Sequence, residues 1–277
     1  MRKLNIGARG HDLSGQTPAE MVAFSRELGI DGLQLAIHKS WEEAYKARDI
    51  ETIVGNIKQI QDAGISVFLL ASYFNPVHSN TSFLASEIER ARFNIDMGLR
   101  CGIGLIGSET GSLNDDAWTW HPENHSEPAF QHVLASFQQL QPNLERAQCR
   151  FLVEPVYDHV IYDADSLMRL NTQLGEHFCV TFDIANLLNA DNAASWESIF
   201  EDFLNQHGPR IRLFHFKNFV LEGGQKIPVR LNEGLIDYQK VLTMLASHGL
   251  TQVPIIVEEL QGEALSDSVA YLRQLQF

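Results

Sequence analysis

Short apolar runs alternate with longer amphipathic stretches along the chain, and glycines or capping residues mark most of the switches. The pattern predicts strand followed by helix, over and over. Residues 4–7 make a short first strand. Thr17, Pro18 and Glu20 stand in the order of N-cap, first helical position and capping-box acid, so a helix opens there and ends at Gly29. Residues 32–37 make the second strand. Asp49 caps a helix in which Ile50, Ile53, Val54, Ile57 and Ile60 keep helical spacing up to Gly64. Residues 65–70 follow as strand three.

A loop rich in Asn, Pro and His covers 72–80, then a helix covers 83–100. Strand four is 103–106, and a long loop with Trp118, Trp120 and His121 follows. Residues 128–148 are helical, with Pro142 marking a kink or a new start. Strand five is Phe151-Leu152-Val153-Glu154, stopped by Pro155. A helix over 165–174 precedes strand six, Val180-Thr181-Phe182-Asp183. Another helix over 195–206 precedes strand seven, Ile211-Arg212-Leu213-Phe214-His215. Residues 220–234 read as a loop. Asp237 caps a helix ending at Gly249, strand eight is Ile255-Ile256-Val257-Glu258, and a last helix covers 265–275. Eight strand–helix units in strict alternation predict an α/β fold with a parallel sheet.

Four of these strands end on a side chain able to bind a metal: Glu154, Asp183, His215 and Glu258. One such residue alone reads equally well as a helix cap or an ion-pair partner. Repetition at four strand ends changes that. Parallel strands closed into a barrel bring their C-terminal ends to one mouth, where active sites of that fold lie. The expectation is a single (β/α)8 TIM barrel over 1–277. An open doubly wound sheet is the competitor, but no Gly-rich phosphate fingerprint follows strand one.

Three carboxylates and an imidazole form an oxygen-rich donor set. It suits one divalent ion, Mn²⁺ first, with Mg²⁺, Co²⁺ or Zn²⁺ as alternatives. Without a cation the acids raise one another's pKa. Such an ion can hold neighbouring carbonyl and hydroxyl oxygens and acidify the adjacent C–H by stabilising an enediolate, while carboxylates move the proton.

The formal charge of −14 disfavours a nucleic-acid partner. Three scattered cysteines, with no CxxC, give neither a disulfide framework nor a thiolate zinc site; Cys149 and Cys179 read as core. No run approaches the roughly 18 apolar residues of a membrane span. The expectation is a cytoplasmic protein without a membrane partner.

The motifs Val153-Glu154-Pro155, Phe182-Asp183-Ile184-Ala185-Asn186, His215-Phe216-Lys217-Asn218, Leu231-Asn232-Glu233-Gly234 and Ile256-Val257-Glu258 resemble the sugar-phosphate isomerase/epimerase superfamily with the xylose isomerase-like barrel. The resemblance covers nearly the whole chain. It implies that Glu154, Asp183, His215 and Glu258 bind one divalent metal and that Glu154 and Glu258 are also the two catalytic bases. The implied reaction is isomerisation or epimerisation of a sugar or sugar phosphate by proton transfer through a metal-bound enediolate. An inosose-type dehydratase on the same site and a non-catalytic sugar-binding barrel are the alternatives. A homo-oligomer is implied as well.

Two positions depart from the family pattern. Asn186 stands where a His is frequent, and Asn218 ends the H-x-K-D-like stretch. Related apurinic endonucleases carry a D-x-H pair whose positions here are Lys226 and Pro228, which argues against a nuclease. Asn186, Lys217, Arg230, Glu109 and His78 are the candidate substrate contacts. Lys217 reads equally as an ion-pair partner and Arg230 as solvent-exposed. Trp118 and Trp120 read equally as a cover for a sugar and as packing for a loop or a subunit contact. The histidines without clear spacing are expected at the surface. Glu258 is preferred to Glu259 because it follows the apolar run directly, and strand alternation sends the two to opposite faces.

Overall fold

A computed structural model describes residues 3–13 and 17–276 of the protein. Ten strands occur among these residues: β1 (Ile6–Arg9), β2 (Gly32–Leu35), β3 (Ser66–Ala71), β4 (Leu105–Glu109), β5 (Arg150–Glu154), β6 (Phe178–Phe182), β7 (Ile211–Phe216), β8 (Asn218–Glu222), β9 (Gln225–Val229) and β10 (Ile255–Val257). Eight close into a barrel in the order β1-β10-β7-β6-β5-β4-β3-β2, while β8 and β9 form a separate two-stranded sheet.

The helices are α1 (Pro18–Leu28), α2 (Ile37–Ser40), α3 (Glu42–Lys46), α4 (Ile50–Asp62), α5 (Thr81–Cys101), α6 (Glu127–Gln138), α7 (Gln141–Ala147), α8 (Ala164–Leu174), α9 (Ile184–Leu187), α10 (Trp196–His207), α11 (Tyr238–Ser247) and α12 (Gly262–Gln274). Their starts follow local chemistry. Thr17 accepts from the Glu20 amide and Glu20 reaches back, closing the capping box. Asp49 and Asp237 cap α4 and α11 through their own carboxylates. Pro142 stands in the first turn of α7, so of the two readings offered for 128–148, a kink or a new start, the new start is the one observed.

Two compact units make up the chain, Leu69–Phe182 and the segments flanking it. Within the flanking segments, β1 pairs in parallel with β10 and β2, and β10 with β7. The register sets His215 beside Ile256. Gly7 permits the β1–β2 approach, because a Cβ there would lie 2.6 Å from the Gly32 carbonyl oxygen. Within Leu69–Phe182, β4 pairs with β5 in a register that sets Glu109 opposite Glu154. Phe74, Phe137, Phe151 and Phe178 pack there with ring centroids 5.4–6.5 Å apart. All four are buried. Burial of each stabilises the fold by about 1.5–3 kcal/mol.

Three expectations are corrected. The first half of the expected loop over 220–234 is the antiparallel hairpin β8–β9, turned by Gly223 and Gly224 at φ +57° and +83°. Positive φ at both central residues is what a tight hairpin turn demands. Strand four starts and ends later than 103–106, and Glu109 is its last residue. His159 and His207 are buried rather than at the surface. A ring nitrogen of His159 lies 3.0 Å from the Trp118 carbonyl oxygen, and the His207 ring packs 4.7 Å from Phe203. All three cysteines are buried thiols. Among the described residues no helix is long and apolar enough to cross a membrane.

Candidate metal centre and active site

Asp183 follows the last residue of β6 and caps the four-residue helix α9, accepting from the Ala185 amide at 2.9 Å. That use of one carboxylate oxygen fixes the side chain. Its other oxygen, Oδ2, faces Lys217 Nζ at 3.2 Å. Lys217 follows β7 and also donates to Glu259 at 2.8 Å. Its backbone is held too: the phenol of the fully buried Tyr238 donates to the Lys217 carbonyl oxygen at 2.7 Å. Burial drives that phenol well above its ordinary pKa, and the Asp183 charge adds to the effect.

His215 lies in β7 and is buried. Its Nε2 stands 2.8 Å from Gln34 Oε1 and its Nδ1 3.4 Å from Glu258 Oε1. Gln34 Nε2 lies 3.4 Å from the same Glu258 oxygen. Gln34 is thus a site residue that the pattern of apolar runs hides. Its signal is a carboxamide in the middle of Gly32-Leu33-Gln34-Leu35, fully buried. Glu258 is 5% exposed, and Arg9 approaches it at 4.0 Å. Glu259 is exposed, with φ +59°. His11, just beyond β1, is held near pKa 4, well below 6.5; burial is the main cause, only partly opposed by Asp12.

Glu154, Asp183 and His215 each offer a ligand atom, and these atoms lie within 4.8 Å of one another; all three residues are buried. Ligands of one divalent ion at about 2.0–2.5 Å stand at most about 5 Å apart, so the spread is compatible with a shared ion. The donor chemistry fits as well. Buried carboxylates need compensating charge, and hard oxygens with one imidazole suit Mg²⁺, Mn²⁺ or Zn²⁺. Glu258 lies outside this tight group but within 3.4 Å of the His215 ring.

The remaining candidates are placed as follows. Asn186 and Lys217 line one cavity of about 160 Å³ with Asn218, Phe219, Lys226, Pro228 and Glu259. Lys226 closes it by donating at 2.9 Å to the carbonyl oxygens of both Ala185 and Leu188. Asn218 is a staple. Its Nδ2 donates at 2.8 Å to the Leu231 and Ile236 carbonyls, and its Oδ1 accepts from the Phe219 and Ile236 amides at 3.0 Å. Arg230 is turned toward acids, with Asp267 at 3.0 Å and Glu233 at 3.5 Å. Glu109, half-buried beside Glu154 in register, faces His159 Nδ1 at 3.6 Å. His78 packs 4.5 Å from the Phe83 ring, with Asp115 3.7 Å away. Trp120 is 46% exposed and stacks on Tyr157.

Residues 22–275 match the family described as Xylose isomerase-like TIM barrel. The chain belongs to that family. Among solved structures it is similar to the probable 3-DHS dehydratase AsbF from Bacillus anthracis, with 15% identity, TM-score 0.74 and 98% of each chain covered. It is also similar to the 3-keto-D-glucoside 4-epimerase YcjR from E. coli, with 15% identity, TM-score 0.72 and coverage of 98% and 99%. A third is a xylose isomerase-like TIM barrel protein from Mycobacterium smegmatis in complex with magnesium, with 14% identity, TM-score 0.67 and coverage of 92% and 87%. At such identities these likenesses establish the fold alone. No curated protein matches the sequence significantly.

Proposed function

We propose that this xylose isomerase-like barrel is a divalent-metal-dependent isomerase or epimerase of a sugar, sugar phosphate or related polyol. The observation that carries the proposal is the buried convergence of Glu154, Asp183 and His215. These three would hold the ion, with Glu258 as a fourth ligand. When bound, the ion would supply the positive charge that polarises a substrate carbonyl and acidifies the neighbouring C–H.

The chain's own residues do the rest. Glu258 takes the proton from the substrate carbon and Glu154 returns one, or the reverse. Gln34 and Arg9, both close to the Glu258 carboxylate, hold it in place. Lys217 and Asn186 hold substrate oxygens at the wall of the 160 Å³ cavity. Glu109 accepts from a substrate hydroxyl. His78 is read as scaffold for its own loop, because the Asn80 amide donates to its Nδ1 at 3.1 Å. Arg230 receives no substrate role, since carboxylates already surround it.

The test is metal content followed by a ketose and polyol panel in D2O. One equivalent of divalent ion in wild type, its loss in Glu154→Ala and His215→Ala, and deuterium incorporation into one substrate support the proposal. Release of water with a conjugated product makes the enzyme a dehydratase. Sugar binding without exchange makes it a binding barrel. A wild type that takes up no Mn²⁺, Mg²⁺ or Co²⁺ refutes the metal-dependent reading.

A further inference from the structure

Gln34 enters the barrel as a polar residue in a four-residue strand whose members are all buried. A buried carboxamide needs partners for both its donor and its acceptor ends. The two ends here meet different chemistry. The oxygen lies 2.8 Å from His215 Nε2, and the nitrogen lies 3.4 Å from Glu258 Oε1. Glu258 accepts only, when ionised, so it selects the NH₂ end of Gln34. The oxygen is then left toward His215, which must bring a proton on Nε2 to meet it.

From this geometry we infer that Gln34 is a positioning residue that fixes the proton of His215 on Nε2. The Nδ1 nitrogen, 3.4 Å from Glu258 Oε1, is thereby reserved as the lone-pair donor toward the acids. The purpose rests on the metal reading proposed above: a ligating imidazole binds through one nitrogen while the other donates to an outer partner that sets its orientation. In this chain the outer partner is an amide whose own direction is set by a second candidate ligand, so Glu258, Gln34 and His215 orient as a unit.

The experiment uses the full chain. ¹⁵N-labelled wild type, Gln34→Leu and Gln34→Glu are compared by long-range ¹H–¹⁵N spectra of the His215 ring, without metal and with Mg²⁺. The ring is assigned by its absence in His215→Gln. Mn²⁺ affinity is measured on each by calorimetry, and near-UV circular dichroism establishes folding. Wild type is expected to carry the proton on Nε2. Gln34→Leu is expected to move it to Nδ1 and to weaken Mn²⁺ binding by about 10–100-fold. Gln34→Glu keeps an acceptor for Nε2–H, so the proton should stay there, which keeps the inference testable if the Leu variant fails to fold.

A wild-type His215 protonated on Nδ1 alone overturns the inference, as does a Gln34→Leu variant with unchanged ring signals. If wild type binds no Mn²⁺ yet shows the Nε2 proton, the metal reading fails while the hold of Gln34 on His215 stands. If wild type binds Mn²⁺ and the Leu variant binds it equally well with its ring unchanged, Gln34 alone is refuted.

Discussion

Asn218→Asp changes one atom type and should be costly. Asn218 is 2% exposed and makes four hydrogen bonds, two given and two accepted. The substituted carboxylate keeps the oxygen that accepts from the Phe219 and Ile236 amides. It replaces the donor with a second oxygen, set near 2.8 Å from the Leu231 and Ile236 carbonyl oxygens. Each buried acceptor left unsatisfied costs about 1–3 kcal/mol. Two such losses, partly offset by charge-assisted bonds at the retained oxygen, give a net loss of about 2–4 kcal/mol. That is a large share of the roughly 5–15 kcal/mol of a typical domain.

The penalty should also depend on pH with a definite sign. Facing carbonyls favours the neutral acid, so the folded-state pKa of the introduced carboxyl would rise above its unfolded value. The penalty is then full above that raised pKa and shrinks as pH falls through it. Urea unfolding followed by fluorescence and circular dichroism, at about pH 7 and again near pH 5, reads both effects. A variant within about 0.5 kcal/mol of wild type at neutral pH refutes the reasoning. So does a variant that loses more ground, relative to wild type, at the acid pH. Gly234→Ala probes the same staple from outside, since its Cβ would sit 2.2 Å from Asn218 Oδ1.

Two further outcomes follow from the site. His11 has a folded pKa of about 4 against an unfolded value near 6.5, so the unfolded chain binds more protons between them. Stability from this residue is present above about pH 6.5 and is lost as pH falls toward 4, by at most about 3 kcal/mol. His11→Gln should flatten that part of the urea-midpoint profile, and an unchanged slope would remove His11 as its source. Glu258→Gln should lower kcat by about 10²–10⁴-fold on whichever substrate the panel identifies, with KM changing far less. A loss confined to KM would count against a proton-transfer role.

The barrel was legible because its strands are apolar runs of ordinary length and its helices carry their own start signals, as at Thr17, Asp49 and Asp237. The strand-end acids and His215 were legible for the same reason: each directly follows or ends an apolar run. The hairpin β8–β9 was not, because Gln225-Lys226-Ile227-Pro228 is exposed and has no apolar face to announce it. The signal lay in Gly223-Gly224, a turn pair rather than a loop filler. Helix α9 is four residues long, too short to show a period. Gln34 was hidden by its neighbours, since three apolar or small residues around one amide still read as an apolar strand. His159 and His207 had to be placed by what surrounds them, because an imidazole enters a core only where a partner waits for it.

The β8–β9 hairpin bears on self-association. A closed barrel has no free strand edge, but a two-stranded sheet has two. With Glu222 opposite Gln225 at the turn, the directly hydrogen-bonded pairs fall at 222–225, 220–227 and 218–229. The backbone groups of Lys226 and Pro228 therefore point away from β8, along the outer edge of β9. Proline has no N–H to offer there, and the Lys226 side chain is tied down to α9. The β9 edge thus lacks the row of donors that another strand would need to add on. The wall of the neighbouring cavity, which Lys226 and Pro228 line, is closed on its outer side to the addition of a further strand.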